Sequence, residues 1–438
     1  MKIFRSITSG LLPPNDASYG RRVVLMSRQI IIILFLVGLA TAGFGALGHK
    51  EFEKAPHDYW TRDLKDPFTQ LKGKLELGDL ALDRSGELPF LKSLLNALDI
   101  SPASQMLVFS TTSLQLRFIT PGNPRALYFN EDVYLGYIPG GRLEIVSVDP
   151  KLGGIYYIFD IPKGDAPMQI ERSNRCMNCH AAPEVGRVPG LLVQSVIPGR
   201  RGGSLESFRS EETGHGIPFS DRYGGWYVTG DDGIKDHWGN TIGEYVNGEI
   251  QRRPIKPGAL FSYDRYLAKN SDILAQMIHE HQVGFVNRAV HAAYTARKIR
   301  HEANGQLGAK EAKALDVEAE KLTRYLLFAD EAALPAPVRG VDAFKQAFRR
   351  NRKVSAEGIS LKDLNLKTRL FEHRCSYMIY SQSFQGLPGV LKQRVYRSLG
   401  VALNPAAPKK EYAYLPDSEK RVIRAILKAT LLDLPSGF

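Results

Sequence analysis

The chain has three cysteines, seven methionines and three tryptophans in 438 residues. Three cysteines cannot build the disulfide framework that holds small secreted domains together, so an apolar core has to stabilise the fold. The chain also lacks internal repeats and low-complexity tracts, which excludes a solenoid or a disordered tail. Hydrophobic residues make up 43% and charged residues 24%, the balance of a globular protein with a buried core. Acidic residues are in deficit, 46 against 58 Lys and Arg, for a net charge of +12. Residues 1–50 supply +5 of this excess, with six Lys and Arg against one Asp, and the remainder keeps +7. Its densest run, "FRRNRK" at 348–353, reads as a solvated loop, with a membrane surface or an acidic partner as the sharper alternative.

Long apolar runs are scarce as well, with one exception. Residues 30–47, "IIIILFLVGLATAGFGAL", carry no charge and follow Arg21, Arg22 and Arg28. A basic stretch ahead of an apolar one is the pattern of an export signal, and "ATAG" at 40–43 offers a small-residue cleavage site. Eighteen residues also suffice to span a bilayer, so residues 1–48 read either as a signal peptide or as an N-terminal transmembrane anchor in the inner membrane. The flanking arginines place the first residues in the cytoplasm and the remainder outside. Met26 as an alternative start would give a signal of more usual length, and "GRRVVL" is a weak twin-arginine pattern. The expected location is the periplasm, where no nucleic acid is met.

Fold class follows from texture. Residues 88–98, "LPFLKSLLNAL", have helical apolar spacing, whereas residues 51–75 show no clear period. Six short β-branched or aromatic runs follow: "MLVFSTT", "LQLRFIT", "ALYFN", "VYLGYI", "RLEIVSV" and "GIYYIFD". Gly, Pro, Asn and Asp turns separate them, which predicts an antiparallel β meander. Strand-like "GLLVQSVI" and "GGWYVTG" sit in a Gly- and Pro-rich stretch at 181–262. From 271 the pattern is helical, with a first helix of some thirty residues capped by Ser271 or Asp272 and shorter ones near 308–330, 341–350, 388–399 and 417–432. Strands first and helices later imply an α+β fold. The expected division is 49–175 as an N-terminal β region, 176–262 as a loop and strand region, and 263–438 as a helical region.

Two of the three cysteines lie three apart in "RSNRCMNCHAAPEVG". Cys176-Met177-Asn178-Cys179-His180 is a C-x-x-C-H motif. One helical turn presents two thiols to the two vinyl groups of a haem, and the following imidazole reaches the iron. The pattern predicts one covalent haem c on Cys176 and Cys179, with His180 as proximal iron ligand. A thioredoxin-like pair needs a βαβ setting, which is missing here. Structural zinc needs four ligands, and the third cysteine, Cys375, is far along the chain. A disulfide between Cys176 and Cys179 would close a very small loop. Cys375, in "HRCSYMIYS", reads as a buried inert thiol.

The second iron ligand is not legible in the motif. No methionine lies between Met177 and Met277; Met106, Met168 and Met277 remain formal ligands. His215 in "TGHGIPF" and His237 in "KDHWGN" are the distal candidates, flanking "GGWYVTG". His279, His281, His291 and His301 read as a solvated helix face, since "HEH" is not a zinc spacing. Arg187, Arg200, Arg201 and Arg222 are near enough in sequence to pair with haem carboxylates, and Tyr223, Trp226 and Tyr227 read as packing.

The stretches "TSLQLRFITPGNPRALYFNEDVYLGYIPGG", "CMNCHA", "PFSDRYGGWYVTG" and "CSYMIYSQSFQGLP" resemble a family of exported bacterial proteins with a single C-x-x-C-H motif. The resemblance runs from about residue 100 to the C-terminus. It implies a c-type cytochrome architecture outside the cytoplasm, and carries over Cys176, Cys179 and His180. Where members read His-Met-Gly-Asn, this chain has His237-Trp238-Gly239-Asn240, which argues against a methionine ligand there. The expected function is electron transfer with a redox partner protein, near the inner membrane if the anchor is retained. The alternative is a five-coordinate haem enzyme or small-ligand sensor, with catalytic residues unassigned.

Overall fold

In the computed structural model, residues 47–164, 166–207, 214–230 and 233–438 are described. The expected signal or anchor run 30–47, Leu47 apart, lies outside them. Among the described residues, no helix is long and apolar enough to cross a membrane.

The meander forms where its turn residues allow. Asn130 accepts hydrogen bonds from the amides of Asp132 and Val133 through its side chain, and Asp149 does the same for Lys151 and Leu152. These side-chain turns close the strand pairs β2 (Arg125–Phe129) with β3 (Val133–Tyr137), and β4 (Leu143–Asp149) with β5 (Gly153–Phe159). With β1 (Met106–Val108), β6 (Glu171–Arg172) and β9 (Trp226–Tyr227) they build one seven-stranded antiparallel sheet in the order β6-β5-β4-β3-β2-β1-β9. Two hairpins stand apart, β7 (Val196–Pro198) with β8 (Ser204–Ser207), and β10 (Thr241–Val246) with β11 (Glu249–Pro254). All five residues of β3 and all seven of β5 are buried, so these strands lack polar alternation because helices cover both faces.

The register assigns the faces. Phe129 pairs with Tyr134, Tyr134 with Val146, and Val146 with Tyr156. These four side chains form one transverse row on one face, since alternate residues point to opposite sides. On the other face, Tyr157 and Phe159 receive Phe68 at 4.8 and 5.9 Å. Phe68 belongs to helix Pro67–Leu77, started by the Asp66 carboxylate, which accepts from the amides of Phe68 and Thr69. Tyr137 on that side donates to Glu87 of helix Glu87–Ala97 at 2.9 Å.

The row face is covered by a thirty-residue helix, Ile273–Glu302, capped by Asp272. Helix Ala309–Leu326 packs beside it, and helices Asp342–Arg349, Gly389–Ala402 and Asp417–Thr430 complete the helical half. The architecture is α+β, with strands mostly in the N-terminal half and helices in the C-terminal half. Leu47–Phe438 pack as one unit, so the stretches 49–175, 176–262 and 263–438 are parts of one body.

Several local expectations change. "LQLRFIT" is a 3-10 turn, Leu116–Phe118, rather than a strand. Gln115 explains it: its side-chain amide donates to Arg142 O at 2.9 Å and accepts from Arg142 N at 2.7 Å. One side chain thus occupies the backbone groups a neighbouring strand would use. The unpatterned 51–75 stretch contains the helix begun at Asp66-Pro67. "GLLVQSVI" is extended but pairs only from Val196. "FRRNRK" begins in the last two residues of helix Asp342–Arg349 and runs on as a largely exposed turn, with Phe348 buried and Arg349 and Arg352 paired to Asp363. Cys375 is fully buried as expected, in a bend ahead of the 3-10 segment Tyr377–Tyr380.

Candidate functional site

The motif forms one turn of helix, Met177–His180, with Cys176 at its start. The His180 amide donates to Cys176 O at 3.0 Å. Buried Met177 anchors the underside. Cys176 is half-buried and Cys179 exposed, and both are free thiols. Burial pushes the Cys176 thiol up to about 11, so it is protonated at neutral pH.

His180 is held by its inner nitrogen. Its Nδ1 lies 2.9 Å from Gly190 O. A carbonyl only accepts, so Nδ1 carries the hydrogen and Nε2 is left with its lone pair. That is the tautomer a metal-bound histidine adopts when a backbone carbonyl orients it. Burial is the main influence on the ring and lowers its pKa, with the Gly190 bond pulling the other way. Tyr156 of β5 packs against it at a tilt of 39°, with centroids 4.6 Å apart.

Gly190 is itself fixed from four sides. Its carbonyl accepts from Tyr156 OH at 2.7 Å, and its amide donates to His180 O at 2.9 Å. The neighbouring amide, Leu191 N, donates to Asn287 Oδ1 at 2.8 Å, and Asn287 Nδ2 donates to Leu191 O at 2.8 Å. A Cβ at Gly190 would sit 2.6 Å from Asn287 Oδ1, so this position has no room for a side chain. The long helix thus clamps the loop that orients His180.

Beside the motif opens a cavity of about 510 Å³, within the ~300–1,000 Å³ range of cofactor sites. Its walls include Leu116, Phe118 and Ile158 and three arginines, Arg117, Arg142 and Arg175. Arg142 faces Asp160 at 3.5 Å and Glu171 at 3.8 Å. Arg117 and Arg175 have no carboxylate partner among the described residues; Arg117 lies over the Phe118 ring. Leu116 is 56% exposed. A wall with apolar side chains and two unpaired guanidinium groups suits a flat apolar ligand that carries carboxylates. Cys176, Cys179 and His180 do not themselves line this cavity, which reaches the motif through Ser173 and Arg175. The chemistry of the motif, two free thiols and an imidazole with a free Nε2 on one turn, is that of a covalent haem tether.

The sequence's other ligand candidates are placed elsewhere. His215 and His237 do not line this cavity. His215 is buried with its Nδ1 2.8 Å from His281 Nδ1, stacked by Tyr325 and Phe328 at 4.2 and 4.7 Å. His281 continues to Ser376 Oγ at 2.7 Å. Burial lowers His215 to about 3 and holds His281 well below the usual imidazole value, so both rings are neutral and one donates to the other. His237 Nδ1 accepts from Gly239 N at 3.0 Å, and its ring meets Tyr223 edge-on at 5.5 Å. Met106 and Met277 are buried in the core.

The solvated-face reading of the helix histidines is corrected. His279 is 5% and His281 0% exposed, because the long helix is covered by the sheet on one side and by other helices on the rest; of the four, His301 alone is exposed. The propionate expectation changes as well. Arg222 is buried and paired with Glu280 at 3.2 Å, Arg200 pairs with Glu244, and the cavity arginines are Arg117, Arg142 and Arg175. Tyr223, Trp226 and Tyr227 are buried packing residues as expected. Among the described residues no cluster of three or more His, Cys, Asp or Glu is placed to hold a bare metal ion. Sequence reasoning missed Gly190, Tyr156 and Asn287, which carry no motif; Arg175, adjacent to Cys176, was in plain view.

No family model matches the chain, and no curated protein or solved structure matches it.

Proposed function

We propose that the protein is an exported single-haem c-type cytochrome that passes electrons to or from a redox partner protein outside the cytoplasmic membrane. The observation that carries this is the His180 ring, held by Nδ1 to Gly190 O with Nε2 free, on the same helical turn as two free thiols. Attachment balances without an oxidant. Each thiol S–H adds across a vinyl C=C, forming one S–C bond and placing the hydrogen on the neighbouring carbon. Cys176 and Cys179 would supply the tethers, and His180 Nε2 would hold the iron. Arg117 and Arg175, which line the cavity, would pair with the two haem carboxylates. When bound, haem supplies a one-electron couple. The chain's part is to fix the His180 ring through Gly190, Tyr156 and Asn287, which sets the ligand's orientation and basicity.

An open iron that binds or turns over a small molecule is the second reading, favoured by the size and openness of the cavity beside the motif. Haem staining of the periplasmic protein after denaturing electrophoresis tests attachment. A band in the wild type that is lost in the Cys176→Ser, Cys179→Ser double variant is expected. A wild-type protein with no band refutes the function proposed.

A further inference from the structure

We propose that the buried Arg125–Glu144 ion pair sets the reduction potential of the haem, with the two charges pulling it in opposite directions. This rests on the haem assignment above.

The sheet register places the pair beside the motif. Between β4 and β5, Val146 pairs with Tyr156 and Glu144 with Ile158. Paired residues share a face, so Glu144 is the diagonal neighbour of Tyr156, at ~7–8 Å. Tyr156 is the residue that packs against the His180 ring at 4.6 Å. Ile158 lines the cavity, and so does Gln115, whose amide donates to the Glu144 carboxylate at 3.0 Å. Glu144 thus adjoins the cavity wall and the support of His180 at once.

Arg125 reaches it over Gly136, which pairs with Glu144 on one side and Leu127 on the other. A Cβ at Gly136 would sit 3.3 Å from Arg125 Cδ and 3.5 Å from Glu144 Oε2, so the glycine leaves room for the pair. Arg125 Nη1 donates to Glu144 Oε2 at 2.8 Å, and the two side chains are 13% and 21% exposed. Solvent therefore screens both charges poorly. The Ser113 hydroxyl also donates to the carboxylate. Burial pushes the Glu144 carboxyl up, but Arg125, Ser113 and Gln115 outweigh it and hold it below the usual carboxylate value.

The motif feels both charges. After burial and the Gly190 bond, Arg125 and then Glu144 act on the His180 ring. After burial and a Ser173 bond, Glu144 acts on the Cys176 thiol. A buried ion pair contributes little net stability over apolar residues of like volume, so stability alone does not account for one here. A nearby carboxylate favours ferric iron over ferrous and lowers the potential, and a guanidinium does the reverse.

The test is redox potentiometry of the haem-loaded protein, followed in the visible spectrum, with a haem-stained gel of each variant beside it. At a fixed solution potential, Glu144→Gln is expected to raise the ferrous-to-ferric ratio about tenfold, or ~59 mV for one electron. Arg125→Met is expected to lower it by a similar factor. The double variant is expected to return close to wild type, because the two charges leave together. A loosened site would admit water around either change and move both single variants the same way. Shifts in one direction, no shift in Glu144→Gln, or a double variant as displaced as either single one overturns the proposal. If Glu144→Gln fails to fold, Arg125→Met carries the test against Arg125→Lys, which keeps the charge. A lysine variant that falls as far as the methionine variant then overturns it. A wild type with no stained band refutes the haem reading itself.

Discussion

Asn287→Leu is the sharpest probe of the scaffold behind the motif. Leucine has nearly the same shape as asparagine but can neither accept from Leu191 N nor donate to Leu191 O. Both bonds are 2.8 Å long and Leu191 is buried. Two backbone groups are therefore left unsatisfied at about 1–3 kcal/mol each, and a total loss of about 3 kcal/mol is expected after partial relaxation. That is a large share of a stability that for a typical domain is only ~5–15 kcal/mol. Gly190→Ala attacks the same clamp from the other side, because its Cβ would stand 2.6 Å from Asn287 Oδ1. The two changes break one interaction, so the double variant is expected to cost little more than the worse single one. Urea unfolding followed by tryptophan fluorescence measures all three. A loss under about 1 kcal/mol in Asn287→Leu, or plain additivity in the cycle, refutes the clamp.

Acid sensitivity follows from the buried histidines. Burial depresses His57 and His215 to about 3 and holds His281 well below its ordinary value, against an unfolded value near 6.5. Above pH ~6.5 both states are neutral and the stability is intact. Below it the unfolded chain binds protons that the folded one refuses, so stability falls as pH drops from about 6.5 toward 3. Each ring contributes ~1.4 kcal/mol per pH unit, about 4 for three together. Urea midpoints that stay flat between pH 6.5 and 4.5 contradict this. Arg222→Met removes the guanidinium from buried Glu280 and its bonds to the Ile217 and His215 carbonyls. The expected cost is about 3–5 kcal/mol, largely recovered by adding Glu280→Leu. A single-variant loss under about 1 kcal/mol would show that the pair is not structural.

Much of the fold was legible because its signals are local. The Asn130 and Asp149 turns, the Asp272 cap and the helical spacing after 273 act within a few residues, and each element formed near its expected bounds. "LQLRFIT" misled because its alternation is that of a strand, while Gln115 reaches residue 142, beyond any sequence window. The helix histidines misled for a related reason. A polar residue on a helix reads as exposed, but this helix is enclosed by the sheet and its neighbours.

The sequence by itself determined the α+β order of elements and the chemistry of the motif. Two thiols and an imidazole on one turn are fixed by spacing alone, since a helical turn is a local structure. Only the tertiary structure decided which His180 nitrogen is free, because that depends on Gly190 O, held by Tyr156 and placed by Asn287, over a hundred positions from the motif. It also decided which histidines are buried. Strand register and helix packing are long-range agreements among side chains, and no segment of the chain carries them alone.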